Sequence, residues 1–244
     1  MREDADLSYQ YRKRQLSRNE QNLYTKIFHG LEEIKKEIFV GIKSFSKIEK
    51  VMDAVLEDHP EIFYVSSGQV FISALGSKIV PEYSYTKYEI KAKQTACEEQ
   101  REYILNGPIY TNPMMIALRI NNLLGLNVIY EETGKEAHSI VGPLLHMKGV
   151  CEGYAKARKY LLDGYDIPCM VVKGTAKGSP GSEYEPHGWI LAYINGRWRH
   201  IDPTFDGTLS YGPQIREDYF QLTDEEIQKD HRWDRSRYPK AVRD

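Results

Sequence analysis

The chain is poor in the features that would place it in a membrane, on nucleic acid or in a disulfide scaffold. No apolar run approaches the roughly 20 residues that a spanning helix requires. There is no basic excess either: 33 Lys and Arg stand against 35 Asp and Glu, for a formal net charge of −2. The counterion release that drives nucleic-acid binding therefore lacks its source. The cluster Arg12, Lys13, Arg14 and Arg18 is set among acidic residues and reads as a solvated helix face. Only three cysteines occur in 244 residues, Cys97, Cys151 and Cys169. Their odd count and lack of C-x-x-C spacing fit neither a disulfide framework nor a structural zinc site. Residues Met1 to Asp6 lack the charged-then-apolar layout of a secretory leader. The expectation is a cytoplasmic protein, or a secreted or cell-surface one if the chain has been trimmed. No internal repeat or low-complexity tract is present.

What remains fits a globular protein of one generous domain or two small ones, with 41% hydrophobic and 28% charged residues. Leu23, Ile27, Leu31 and Ile34 recur at helical steps within Arg18 to Lys36. A short β-prone run, Glu37 to Ile42, follows. Ser46 is expected to cap a second helix carrying Ile48, Val51, Met52, Val55 and Leu56, which stops before Pro60. Ile62 to Ser66, Gln69 to Leu75 and Ile79 to Ile90 read as strands. Helices are expected over Lys93 to Leu105 and from Pro113 to about Leu124, with Asn106-Gly107-Pro108 between them. Cys151 to Asp163 reads as a helix ended by Gly164. Ile167 to Lys173 is a buried strand, Thr175 to Pro186 a flexible loop, and His187 to Ile194 and Arg197 to Asp202 a strand pair. Residues 1–92 are taken as an α/β scaffold and 93–244 as the functional core.

Three groups in that core carry chemistry. Cys151 opens a helix, where unpaired N–H groups and the positive end of the helix dipole favour a thiolate. Glu152 opposes this, being an anion beside an anion. His187 and Asp202 lie on the two strands, joined by Asn195-Gly196, the strongest two-residue hairpin signal because both positions need positive φ. Pairing Ile194 with Arg197 sets Trp189 opposite Asp202 and His187 opposite Thr204. His187 and Asp202 then share one face as diagonal neighbours, within roughly 8 Å at Cβ. A sulfur nucleophile, an imidazole base and an orienting carboxylate suffice for covalent acyl transfer. The Cys151 N–H is one oxyanion donor, and Trp189, Tyr154 and Gly153 are the candidates for further substrate or oxyanion contacts. His200 shares the Asp202 face and is the rival base. His29, His59, His138, His146 and His231 read as ordinary structural histidines, Cys97 and Cys169 as small core residues, and Asp206 as a structural carboxylate.

These residues resemble the transglutaminase-like superfamily of papain-type cysteine enzymes, in particular its bacterial members. The likeness runs from about His138 to Trp233. It rests on Gly149-Val150-Cys151-Glu152-Gly153-Tyr154-Ala155-Lys156-Ala157, His187-Gly188-Trp189, Asp202-Pro203-Thr204-Phe205-Asp206, Tyr219-Phe220 and Asp224-Glu225-Glu226. Asp58-His59-Pro60-Glu61-Ile62-Phe63 looks like a segment that often precedes this core. The resemblance implies an α+β fold, the nucleophile helix packed on an antiparallel sheet, with Cys151, His187 and Asp202 as catalytic triad. Members commonly read H-A-W-N and D-x-T-W-D, whereas this chain has Gly188, Ile190 and Phe205; Ile190 is expected to remove a polar group near the base, and Phe205 to keep an aromatic wall. The expected activity is a cysteine-dependent hydrolase or acyltransferase acting on amide bonds of peptides or proteins, cell-wall peptide among them, through a thioester. Hydrolysis is favoured over crosslinking, and neither metal nor organic cofactor is called for. The alternative is a silent module that keeps the fold and uses its tyrosine-rich amino half as a protein or glycan contact surface.

Overall fold

A computed structural model describes residues 10–74, 76–107, 110–208 and 215–243. Met1 to Asp6, Leu75 and Pro108, which the sequence reading used, lie outside these residues. The chain divides into two compact units, one up to Ala96 and one from Cys97 onward.

In the first unit, α1 (Tyr11–Arg14), α2 (Arg18–Glu32), β1 (Ile38–Phe39), α3 (Phe45–Asp58), β2 (Val65–Ser73) and β3 (Gly76–Tyr83) follow in chain order. The strands form an antiparallel sheet in the order β1-β3-β2. The helical stripe Leu23, Ile27 and Leu31 joins Ile48, Val51 and Val55 in a buried core, as their spacing of three and four requires. Ile34 leaves that stripe: it follows the helix at a positive φ of 58°, and the next residue closes the end through Lys35 N–H to the Gly30 carbonyl. The residue preceding α3 is Ser44, in extended geometry, so Ser46 sits inside the first turn and is not its cap. Ile62 to Tyr64 is a turn rather than a strand, because the Ile62 N–H is taken by the His59 carbonyl. One strand runs from Val65 to Ser73, with a register shift between Val65 and Ser67, where two strands were expected. β3 in turn stops at Tyr83. Thr86 and Glu89 exchange side-chain and main-chain hydrogen bonds, a capping box that starts α4 (Lys87–Leu105) six residues before the expected position. Ile90 is therefore helical. The division between the units falls within this helix.

The second unit continues with α5 (Pro113–Asn127), β4 (Ile129–Tyr130), β5 (Lys148–Gly149), α6 (Cys151–Asp163), β6 (Cys169–Ala176), β7 (Glu185–Ile194), β8 (Arg197–Ile201), α7 (Pro203–Thr208), β9 (Phe220–Leu222), α8 (Asp224–Ile227) and β10 (His231–Trp233). Five strands make an antiparallel sheet in the order β10-β6-β7-β8-β9, while β4 and β5 pair in parallel. The hairpin has the expected register, Ile194 with Arg197 through Ile190 with Ile201. Asn195 and Gly196 take positive φ of 53° and 85°. A helix opened by Cys151 beside an antiparallel sheet is thus the arrangement found. One detail differs: Gly164 ends α6 in right-handed geometry, and the positive φ belongs to Asp166. Gly164 serves for space instead, since a Cβ there would stand 2.9 Å from a Leu105 methyl.

Candidate active site

The approach of the chain to α6 is fixed before the helix begins. β5 is held by β4, and the Val150 N–H bonds the Ala137 carbonyl. That carbonyl passes so close to the first helical turn that a Cβ on residue 153 would overlap it. Gly153 is therefore a packing requirement. It is buried against backbone and does not line an approach for substrate, which corrects the expectation above.

Cys151, half-buried, opens the helix. Its sulfur is hydrogen-bonded to the His187 imidazole and receives the main-chain N–H groups of Gly188 and Glu152. Burial alone would raise the thiol pKa; the imidazole and the two N–H groups outweigh it and hold the pKa below its ordinary value. On His187 the balance runs the other way: burial disfavours the charged ring, but Asp202 and Cys151 favour it more, and its pKa is raised. Both directions favour a thiolate–imidazolium pair over the neutral one. Glu152 is kept from opposing it by Lys156 at 2.8 Å and His138 at 3.3 Å.

Asp202 is fully buried. One oxygen accepts the N–H groups of Thr204 (2.9 Å) and Phe205 (3.2 Å) at the start of α7. The other, Oδ2, lies 2.6 Å from His187 Nε2 and 2.9 Å from His231 Nε2. With Nε2 on the carboxylate, the Nδ1 side of His187 is left for the sulfur. Burial would raise the Asp202 pKa, yet the two imidazoles hold it well below the carboxylate range. The structure thus brings together the three residues singled out from the sequence. Phe205 forms the expected aromatic wall, edge-on to His187 at 5.2 Å. Ile190, by strand alternation, shares the sheet face of Gly188 rather than that of His187 and lies in the core. It therefore takes no polar group away from the base.

Two further expectations are corrected. Trp189 is wholly buried and gives its indole N–H to His200 Nδ1 at 3.0 Å, so that donor is spent on a neighbour. The Tyr154 hydroxyl is bonded to the Val128 carbonyl, and neither side chain is free to hold an oxyanion. His200 is no rival base: its second nitrogen meets Asp224 at 2.9 Å, and the ring is a buried strut under Trp189. Asp206 is structural as expected, accepting the Tyr219 N–H at 2.8 Å, and burial pushes its carboxyl up to about 7. Cys97 and Cys169 are buried, and burial pushes the Cys169 thiol well up.

Two residues were missed. Tyr130, on β4, reaches the Cys151 main-chain N–H and sulfur with its hydroxyl; nothing local in the sequence marks a parallel pairing of two-residue strands. His231 is the other, and a signal for it existed: His231-Arg232-Trp233 repeats the His-x-Trp spacing of 187–189, which on a strand puts both rings on one face. The Asp202 oxygen and the two imidazole nitrogens are donor types a metal would use, and they lie within 4.8 Å of one another. Each nitrogen is already at hydrogen-bond distance from the carboxylate, so the cluster is read as a hydrogen-bonded unit.

Residues 106–203 match the transglutaminase-like superfamily. No curated protein matches the chain. Among solved structures, the chain is similar to a candidate cysteine protease from Cytophaga hutchinsonii, at 16% identity and TM-score 0.38 over 57% of this chain and 61% of that one. It is also similar to a protein described as a TGase, at 12% identity and TM-score 0.40 over 75% and 53%. A third is the periplasmic domain of TgpA from Pseudomonas aeruginosa, at 19% identity and TM-score 0.32 over 47% and 42%. The chain therefore spans between about two fifths and three fifths of the length of these three.

Proposed function

We propose that this transglutaminase-like protein is a cysteine-dependent acyl-transfer enzyme that acts on amide bonds of peptides or proteins, with residues 93–244 as the catalytic core and 1–92 as scaffold. The observation that carries this reading is the unbroken contact from the Cys151 sulfur to His187 and on to the buried Asp202 carboxylate. The Cys151 thiolate attacks an amide carbonyl and a carbon–sulfur bond forms. The carbon–nitrogen bond then breaks as the His187 imidazolium passes its proton to the leaving amine. A thioester remains. Water attacks it, losing a proton to neutral His187; a carbon–oxygen bond forms, the carbon–sulfur bond breaks, and the acid departs with the Cys151 thiolate and His187 imidazolium restored. Asp202 holds the ring so that the Nδ1 side stays on the sulfur. On substrate binding the Cys151 N–H exchanges its bond to the Tyr130 hydroxyl for the carbonyl oxygen, and that hydroxyl turns to the same oxygen, in the place sought for Trp189 and Tyr154.

Hydrolysis is favoured over crosslinking because water always competes and, among the described residues, no side chain near the sulfur marks an amine-acceptor site. Peptide substrates, cell-wall stem peptides included, fit a chemistry that needs only a carbonyl and a leaving amine.

The test is turnover of a panel of peptide amides, glutaminyl peptides and peptidoglycan stem peptides, by product release and by incorporation of a labelled amine. Wild-type protein should release acid and amine, and Cys151→Ala should release neither. Retained turnover in Cys151→Ala, or iodoacetamide labelling of Cys151 at pH 6 no faster than Cys97 and Cys169, overturns the reading.

A further inference from the structure

We propose that His231, clamped between Asp230 and Asp202, is a positioning residue that weakens the hold of Asp202 on the His187 proton and so releases His187 to act as base in thioester hydrolysis. The proposal rests on the acyl-transfer reading above and deepens it.

Both nitrogens of His231 face carboxylate oxygens: Nε2 lies 2.9 Å from Asp202 and Nδ1 lies 2.6 Å from Asp230. A neutral imidazole has one N–H and one lone pair, so it cannot donate at both ends. Asp230 meanwhile accepts the Tyr219 hydroxyl, and Asp202 accepts two main-chain N–H groups. Each ring nitrogen of His231 is thus set against a carboxyl group that other donors also use. The result is a row of alternating carboxyl and imidazole groups, Asp230, His231, Asp202 and His187, that ends on the Cys151 sulfur. The row is walled by the rings of Trp189 at 4.8 Å, Phe205 at 4.9 Å and Tyr219 at 5.7 Å.

Other charged and titratable groups surround it. His187 and His200 face His231 from β7 and β8, and the Arg232 guanidinium bonds the His231 carbonyl. Asp206 and Arg158 stand near Asp202.

The consequence follows from the shared oxygen. An Asp202 bonded to His187 alone would favour imidazolium strongly. That suits amine departure but stalls the second half, which needs a neutral ring. A second imidazole on the same Oδ2 competes for that charge. Replacing Asp230 takes away the partner that holds the far side of the His231 ring and so loosens its hold on Oδ2. His187 then meets less competition for that oxygen and should become more basic.

The experiment titrates the His187 side chain by 13C NMR in a Cys151→Ala background, which removes the thiolate and does not depend on turnover. Asp230→Asn is the main variant, because its side chain is partly exposed and folding should survive. His231→Gln, which can still donate to Asp202, is the companion. Both should move the His187 midpoint up by about one pH unit, within the range of a nearby opposite charge. In the Cys151-containing proteins, the burst of p-nitrophenol from p-nitrophenyl acetate should be retained. The steady phase that follows should shift to higher pH by a similar amount. An unmoved NMR midpoint in Asp230→Asn overturns the proposal even if the melting temperature falls. A wild-type protein with no burst, but with the NMR shift, overturns the acyl-transfer reading and leaves the competition for Asp202 Oδ2 standing.

Discussion

Asp58 in the first unit and Asp202 in the second are both almost fully buried carboxylates, 2% and 0% exposed, and each gathers hydrogen bonds from distant residues. Asp58 accepts the main-chain N–H groups of Arg12 and Lys13 and the hydroxyl of Tyr24. These donors keep their protons near neutral pH, so the carboxylate pins α1 against α3. Asp202 accepts two main-chain N–H groups in the same manner, but its second oxygen is given to two imidazoles. Burial and saturation are alike. What separates a structural pin from a chemical group is whether the donors can exchange protons with something that reacts. The Asp58-His59-Pro60-Glu61 segment accordingly reads as structure: His59 stacks on Phe28 at 4.1 Å and meets Glu61 at 2.7 Å.

The contrast can be broken by making the same change at both sites. Asp202→Asn should lower turnover by about 10⁴-fold, since an amide no longer selects the His187 tautomer; kcat on the best peptide of the panel measures it, and a loss under tenfold would equate the two aspartates. The same variant carries a pH signature. The folded-state pKa of Asp202 is lowered, so its stabilisation is present above the unfolded value of about 3.9 and is lost as pH falls further. Wild-type melting temperature should drop more steeply than that of Asp202→Asn below about pH 4. Asp58→Asn should do the reverse: a stability loss of about 1–3 kcal/mol in urea, with Cys151 alkylation rates retained in the folded protein. At the small end, Gly188→Ala should change stability by under about 0.5 kcal/mol and leave turnover within a few-fold. A Cβ there would meet Glu152 Cα and the Val172 carbonyl at 3.7 Å, an ordinary contact. A large loss would mean that the main-chain N–H at the sulfur tolerates no neighbour.

Legibility in the sequence followed contact range. Asn195-Gly196 determines the β7–β8 register, and with it the shared face of His187 and Asp202; glycine spacing and the run of helix formers mark where α6 begins. Face, however, is not partner. Alternation put Trp189, His200 and Asp202 on one side without showing that the indole would turn to His200, so Trp189 was read as an oxyanion donor. In the first unit, β-prone tyrosines hid the Thr86–Glu89 capping box, and α4 began earlier than its apolar pattern suggested. The His-x-Trp spacing marks a face for His231 but not its partner, because β10 joins the sheet on the far side of β6, next to a strand more than fifty residues earlier.

By itself the sequence determined a thiol at a helix start and an imidazole and carboxylate on one hairpin face, because turn chemistry and strand alternation act over a few residues. Tertiary structure alone decided which groups touch Asp202, which nitrogen of His187 faces the sulfur, and which donors are already occupied. Those choices are made by hydrogen bonds across strands that are remote in the chain, where burial forces every polar group to find a partner and no local pattern records which one it finds.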